Sequence, residues 1–362
     1  MSFSPADHAH MARALQLAAR GLRTTTPNPR VGCVLVRDGA VVGEGWHERA
    51  GGPHAEVHAL RQAGAAARGA TADVTLEPCS HHGRTPPCCE ALIAAGVARI
   101  VAAMEDPNPR VAGAGLRRLG EAGIDTACGL LEAEARELNV GFVSRMTRGR
   151  PWLRLKVAAS LDGRTALANG ASQWITGAPA RRDGHRWRAR ACAVLTGIGT
   201  VRDDDPQLTV RDVATDRQPL RIVVDSRLET PLDARLLDGG PVLIVGAVDD
   251  RVRRAALEAR GAEVLLLPNA GGKVDLPALM AELGRRELNE IHAEAGVKLN
   301  GSLVREGCVD EFLVYLAPML VGDTGAGMFA LPELASLADA RRLCITGTAQ
   351  VGGDLRFLAR PA

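Results

Sequence analysis

A chain of 362 residues exceeds the usual size of one compact domain and is expected to fold as two. Hydrophobic residues make up 46% and charged residues 24%, the balance of an ordinary globular protein, which excludes wholesale disorder. With 44 basic against 42 acidic residues the formal charge is +2, so nothing marks the chain for duplex DNA or another long polyanion, and an anionic partner is expected to be small.

In residues 7–20, Met11, Ala12, Leu15 and Ala19 recur at helical spacing and Gly21 stops the pattern. Residues 31–36 and 40–43 flank Arg37-Asp38-Gly39, a turn signal that predicts a hairpin. Pro53 opens a predicted helix through His54 and Leu60; residues 73–76 read as a strand, 87–95 as a helix and 100–103 as a strand. A predicted helix over 131–148 ends in Thr147-Arg148-Gly149-Arg150-Pro151, which places a boundary between domains 1–149 and 150–362. Beyond it, 152–158 reads as a strand followed by an Asp162-Gly163 turn, and 191–195, 220–224, 242–245 and 264–267 read as strands of a mostly buried sheet. Residues 290–293 are strand-like and 297–305 helical. This alternation predicts an α/β protein. The start lacks a basic n-region and an apolar h-region, and no run of about 18 apolar residues occurs, so a cytoplasmic protein without a membrane span is expected. Eight cysteines scattered through the chain without the spacing of a small secreted domain predict reduced thiols.

The chemistry concentrates in His54-Ala55-Glu56, Pro78-Cys79 and Cys88. One imidazole and two thiolates form a borderline-soft set that suits zinc, and three protein ligands leave a fourth tetrahedral position open, the mark of a catalytic site. Glu56, two residues past the histidine, is close enough to handle protons on a water there without being a ligand. That division of labour matches the zinc-deaminase signature. Both ligand groups are expected at helix starts, where backbone N–H groups favour thiolate over thiol. Cys79 and Cys88 are separated by eight residues instead of the two of the plain signature. The intervening loop is expected to overhang the open position and to bring His81, His82 and Arg84 toward a polar or phosphorylated substrate. Cys33, Cys128, Cys192, Cys308 and Cys344 read as small hydrophobes. Cys89 points about 100° away from Cys88 on a helix and is not expected to share its ion. His47 and His58 read as structural or solvent-facing.

Taken in order, Thr26-Pro27-Asn28-Pro29-Arg30-Val31-Gly32, Pro53-His54-Ala55-Glu56-Val57-His58-Ala59-Leu60 and the stretch from Glu77 to Cys88 closely resemble the bifunctional riboflavin-biosynthesis deaminase/reductase family, to which the long cysteine gap belongs. Lys156-Val157-Ala158-Ala159-Ser160-Leu161-Asp162-Gly163, Ser172-Gln173-Trp174-Ile175-Thr176, Asp203 to Arg211 and Glu294-Ala295-Gly296 resemble motifs of its reductase half. The resemblance implies a cytidine-deaminase-like α/β/α domain that deaminates a phosphoribosylated diaminopyrimidinone with Zn2+. It also implies a dihydrofolate-reductase-like α/β domain that reduces the ribose to a ribityl chain with NADPH. By the same resemblance His54, Cys79 and Cys88 hold the metal, Glu56 is catalytic and Asn28 contacts the pyrimidine. Cofactor contacts are then Ala158, Trp174, Thr200, Asp204, Ser226, Gly296, Val297, Lys298, Leu299, Asn300, Gly301 and Ser302, and substrate contacts are Lys156, Ser172, Arg188, Leu208, Arg211 and Glu294. The residues alone support this half weakly. Backbone N–H groups at Glu294-Ala295-Gly296 suit a phosphate, but Gly197-Ile198-Gly199 lacks the third glycine of a dinucleotide fingerprint. The expected partner is a small phosphorylated pyrimidine, with no nucleic acid and no membrane; a homo-oligomer is compatible with the sequence.

Overall fold

The structure, a computed structural model, describes residues 3–80, 87–109 and 111–362. The chain divides into two compact units, Met1–Gly149 and Arg150–Ala362. Among the described residues no helix is long and apolar enough to cross a membrane, and all eight cysteines are free of disulfides.

The first unit runs α1 (Pro5–Ala19), β1 (Gly32–Arg37), β2 (Ala40–Trp46), α2 (Ala55–Ala63), β3 (Thr71–Val74), α3 (Cys88–Ala95), β4 (Arg99–Ala102), α4 (Ala114–Glu121), β5 (Asp125–Cys128), α5 (Glu132–Leu138) and α6 (Val140–Arg148). Its sheet has the order β2-β1-β3-β4-β5. β1 is antiparallel to both neighbours, and β3, β4 and β5 are parallel. Alternate residues of each strand face opposite layers. Cys33, Leu35, Ala72, Val74, Ile100 and Ala102 pack against α2, α3 and α4, whereas Val34, Val36, Val101 and Ala103 pack against α1 and α5. An α/β/α sandwich results. The hairpin forms as expected, with Asp38 and Gly39 at φ 51° and 76°, the left-handed pair that a two-residue turn requires. β2 places Gly43 and Gly45 under α2; a Cβ on Gly45 would lie 2.2 Å from the Ala55 carbonyl oxygen. The helix that carries the site therefore lies directly on the strand backbone.

Two expectations need correction. Pro53 lies outside α2, and His54 is its extended N-cap residue, so the helix begins one residue beyond the histidine. The helix predicted over 131–148 is two, broken at Asn139. The Asn139 side chain accepts from the Arg30 amide at 2.7 Å and donates to the Arg30 carbonyl at 2.9 Å, an amide clasp that outweighs one more helical residue. α4 and β5 were not foreseen.

The second unit runs β6 (Trp152–Ser160), α7 (Ala178–Arg190), β7 (Ala193–Gly197), α8 (Ile198–Asp204), β8 (Leu220–Val224), β9 (Val242–Gly246), α9 (Arg251–Ala259), β10 (Ala262–Leu266), α10 (Leu276–Arg285), β11 (Glu290–Ala293), α11 (Val297–Arg305), β12 (Glu311–Ala317), β13 (Leu343–Val351) and β14 (Asp354–Pro361). The sheet order is β10-β9-β8-β7-β11-β6-β12-β14-β13, parallel from β10 to β12, with β14 and β13 antiparallel at one edge. α10 and α11 cover one face through Leu279, Leu283 and Leu303. α7, α8 and α9 cover the other through Ala180, Val201 and Leu257. β7 and β11 are neighbours, yet the chain leaves β7 toward β8 and leaves β11 toward β12, on opposite sides. Such a switch point opens a crevice beyond the carboxyl ends of the two strands, the usual ligand position in an open parallel sheet.

Candidate metal centre and substrate crevice

Three side chains converge in the first unit: His54 at the start of α2, Cys79 in the segment after β3, and Cys88 as the first residue of α3. One ligand atom from each lies within 4.8 Å of the others. His54 Nδ1 is 3.2 Å from Cys88 Sγ and 3.6 Å from Cys79 Sγ. A tetrahedral zinc ion, with bonds of about 2.3 Å to sulfur and about 2.0 Å to nitrogen, holds N and S about 3.5 Å apart, so the donor set and its spacing fit the metal. The Cys88 amide, at the N-terminus of α3, points at Cys79 Sγ from 3.3 Å. The Cys79 thiol is pushed down to about 4 because the Cys88 side chain donates to it, joined against burial by His54 and that amide. The same pairing and burial push the Cys88 thiol up. Of the two helix starts expected at the site, the second belongs to Cys88; Cys79 lies outside any helix or strand, between β3 and α3.

Glu56 lies within the first turn of α2 and is 3% exposed. Its Oε2 is buried without a hydrogen-bond partner among the described residues. Burial pushes its carboxyl up, opposed by His54. A buried carboxyl with an unsatisfied oxygen beside the ligand cluster has the makings of a proton carrier. Cys89, as expected, turns away: its Sγ donates to the Pro78 and Gly115 carbonyls at 3.2 and 3.5 Å. His81, His82 and Arg84 lie outside the described residues.

Two further groups shape this centre. His47, expected to be structural or solvent-facing, is 3% exposed and has the structural placement. Its Nδ1 is 3.0 Å from the Pro53 carbonyl, which can only accept, so Nδ1 carries the proton and Nε2 accepts from the Asn28 amide at 3.0 Å. The Asn28 Oδ1 is thereby oriented as an acceptor, and the His47 ring packs edge-on against His54 at 5.4 Å. Glu77, two residues before Cys79, is buried and accepts four backbone N–H groups: Asp106 at 3.0 Å, Gly113 at 2.9 Å, Gly115 at 2.7 Å and Leu116 at 3.3 Å. It ties the Cys79 segment to the start of α4.

In the second unit the switch-point crevice gathers many of the residues named from the resemblance. Thr200 in α8 and Gly296, the N-cap of α11, meet there: a Cβ on Gly296 would lie 3.7 Å from Thr200 Oγ1. Ser226 follows β8, and its Oγ accepts from the Val274 amide at 3.3 Å. Lys156 and Ala158 alternate with core residues on β6 and share the face turned to α7. Lys156 Nζ is 3.8 Å from Glu294 Oε2. Arg188 of α7 grips Glu294 with both arms of its fork and donates to the Thr209 carbonyl at 3.0 Å. Desolvation pushes the Glu294 carboxyl up, but the Arg188 and Lys156 charges hold it well below the ordinary range. Arg211 donates to Gln207 and Thr209 in the loop where Leu208 is buried at φ 55°.

Other residues on that roll are placed differently. Lys298 is exposed on α11, beside Val297, and Leu299 packs over Gly197. Asn300 is buried and donates to the Met328 carbonyl, Gly301 abuts the Ala330 backbone, and Ser302 accepts from Arg305. Trp174 is 67% exposed under the Arg181 guanidinium, 4.4 Å from its ring centre, and Ser172 precedes it in the same loop. Asp204 closes α8, where burial and Asp203 push its carboxyl up.

Comparison with known proteins places both halves. Residues 4–104 match the cytidine and deoxycytidylate deaminase zinc-binding region, and residues 151–356 match the RibD C-terminal domain. The chain is 52% identical to the Escherichia coli riboflavin biosynthesis protein RibD, over 96% of this chain and 98% of that one. It is 46% identical to the Haemophilus influenzae protein of the same name, over 100% and 99%. Among solved structures it superposes on Acinetobacter baumannii RibD with a TM-score of 0.91 at 44% identity, covering 99% of both chains. A Thermotoga maritima diaminohydroxyphosphoribosylaminopyrimidine deaminase/5-amino-6-(5-phosphoribosylamino)uracil reductase gives 0.88 at 30%, again over 99% of both. The first unit accordingly has the cytidine-deaminase-like fold and the second the dihydrofolate-reductase-like fold of these relatives. Matched from end to end in sequence and in structure, the chain belongs to the RibD family of riboflavin biosynthesis proteins.

Proposed function

We propose that this chain carries two successive steps of riboflavin biosynthesis: hydrolytic deamination of 2,5-diamino-6-(5-phosphoribosylamino)pyrimidin-4-one in the first unit, then reduction of the ribosyl group of the product in the second. The enzyme is a bifunctional deaminase and reductase that uses Zn2+ and NADPH. The observation that carries the deaminase reading is the convergence of His54 Nδ1, Cys79 Sγ and Cys88 Sγ beside the unsatisfied Oε2 of Glu56.

Zinc held by those three side chains supplies Lewis acidity toward water and substrate. Glu56 takes one proton of the attacking water and passes it to the ring nitrogen, then takes the hydroxyl proton of the adduct and delivers it to the amino group, which leaves as ammonia as the C–N bond breaks and the carbonyl forms. Its raised pKa suits a group that must both accept and return a proton. Asn28, oriented by His47, offers its carbonyl oxygen to a ring N–H or amino group. In the second unit NADPH supplies the hydride, with phosphates suited to the N–H groups at Gly296 and Val297. Lys156, steadied by Glu294, contacts the ribose, and Arg211 reaches the sugar phosphate as a planar fork. A cytoplasmic location, where NADPH is supplied, is part of this proposal.

Mass-spectrometric analysis of products from the diaminopyrimidinone phosphate, with and without NADPH, tests both halves. Replacement of one N–H by O without NADPH, and that change plus two hydrogens with it, is expected. Unchanged substrate in the first case, or no added hydrogens in the second, removes the corresponding half.

A further inference from the structure

β11 is a central strand buried on both faces, the setting for an unbroken apolar run. Ile291 and Ala293 meet that expectation on one face. Glu290, His292 and Glu294 share the other. Two of these polar groups are matched: Glu290 by Arg154 at 3.3 Å and Arg190 at 2.7 Å, and Glu294 by Arg188 and Lys156. His292 between them is fully buried. Its Nε2 is 3.2 Å from Glu294 Oε1, and neither ring nitrogen completes a well-directed hydrogen bond among the described residues. A leucine of similar volume would avoid the desolvation of two ring nitrogens, so packing alone does not account for an imidazole here.

We propose that His292 is a positioning residue for the reduction, whose Nε2–H closes onto Glu294 Oε1, 3.2 Å away, when substrate occupies the crevice, so that Oε2 stays turned to Lys156. This rests on Glu294 and Lys156 serving the substrate as described above. The ring is suited to that task as a neutral donor. Burial pushes its pKa down; Glu294 opposes this, while Arg188 from α7 and Arg154 from β6 reinforce it. A cation in its place would be the third positive group around one carboxylate. A neutral N–H holds Oε1 without competing with Lys156 for the charge.

The test compares the full-length, zinc-loaded wild type with H292L, H292Q and E294Q, supplying the deaminated intermediate and NADPH. A glutamine side chain can place an N–H near the position of Nε2; leucine cannot. Loss of a hydrogen bond to a charged group corresponds to about tenfold or more, so H292L is expected to lose about tenfold in kcat with KM for NADPH unchanged, and H292Q to recover most of it. Wild-type kcat in H292L overturns the proposal, as does an H292Q enzyme as slow as H292L, which would assign the effect to volume. If H292L does not fold, imidazole 15N resonances of the wild type decide. A neutral Nε2–H tautomer that shifts in E294Q supports the role; an Nδ1–H tautomer or an imidazolium overturns it. Undiminished reduction by E294Q would instead remove the reading of Glu294, and the inference with it, whatever the His292 variants do.

Discussion

Replacing Glu77 by glutamine changes one oxygen to an amino group and leaves the volume almost the same. The carboxylate accepts two N–H groups on each oxygen, Gly115 and Leu116 on Oε1, Asp106 and Gly113 on Oε2. Glutamine can serve one pair. Its amino group faces the other pair, donor against donor, in a site 3% exposed. Two hydrogen bonds to a charged acceptor, at about 1.5–3 kcal/mol each, are lost, and after local relaxation the expected cost is about 3–4 kcal/mol. For a unit of this size each kcal/mol moves the melting temperature by about 2–4 °C, so the first unit of Glu77→Gln should melt roughly 10 °C lower. Scanning calorimetry of the zinc-loaded full chain measures this, and release of zinc to a chelator, followed in parallel, should accelerate because Glu77 steadies the segment bearing Cys79. A shift under about 2 °C with unaltered zinc release would refute the assignment of Glu77 as the anchor of that segment.

Glu56→Gln should retain about one zinc per chain while ammonia release falls by about 10²–10⁴-fold and reduction of the deaminated intermediate persists; release at the wild-type rate sinks the proton-carrying role. Gly45→Ala drives a methyl group into the Ala55 carbonyl, 2.2 Å away. It should cost about 1–3 kcal/mol by chemical denaturation and lower zinc occupancy, because α2 must lift and carry His54 with it; full occupancy counts against that coupling. The Arg99 guanidinium beside Asp7 holds its carboxyl down at about 2, below the ordinary 3.8. A carboxyl lowered by folding stabilises the fold above its unfolded value, and that stabilisation disappears as pH falls from about 4 to about 2. Asp7→Asn should therefore remove about 1 kcal/mol near neutrality, allowing for solvent screening, and flatten the stability profile in that acid window; an unchanged acid profile contradicts it.

The metal centre was legible because its signals are local: His54 and Glu56 are two apart, and each cysteine follows a proline. The hairpin was legible because Asp38-Gly39 satisfies the backbone of its turn unaided. The break at Asn139 was not, since the helical pattern continues through it and the cause, Arg30, is 109 residues away. α4 was obscured by Gly113, Gly115 and Gly120, and its start is organised by Glu77 rather than by a capping side chain of its own. His47 read only as structural or solvent-facing, because an isolated histidine acquires a specific role only when Asn28 and Pro53 meet it in space. In the second unit the crevice is a product of topology. β7 and β11 become neighbours only after three other strands have been laid down, and no glycine fingerprint announces the outcome. Of the residues named from the resemblance, Thr200 and Gly296 meet, whereas Asn300 and Gly301 pack on the Met328 and Ala330 backbone.

The Asn139 clasp bears on where this protein can be cut. A fragment trimmed to the deaminase match, residues 4–104, would contain every proposed metal ligand, yet it would lack the amide that grips Arg30 and the Arg145 guanidinium that reaches the Pro27 carbonyl. Asn28 lies between those two anchors, so such a piece would be freed at the segment that carries Asn28 even with the ion in place. Chimeras between relatives should be joined at Gly149, where the first unit closes, and not after its fourth strand.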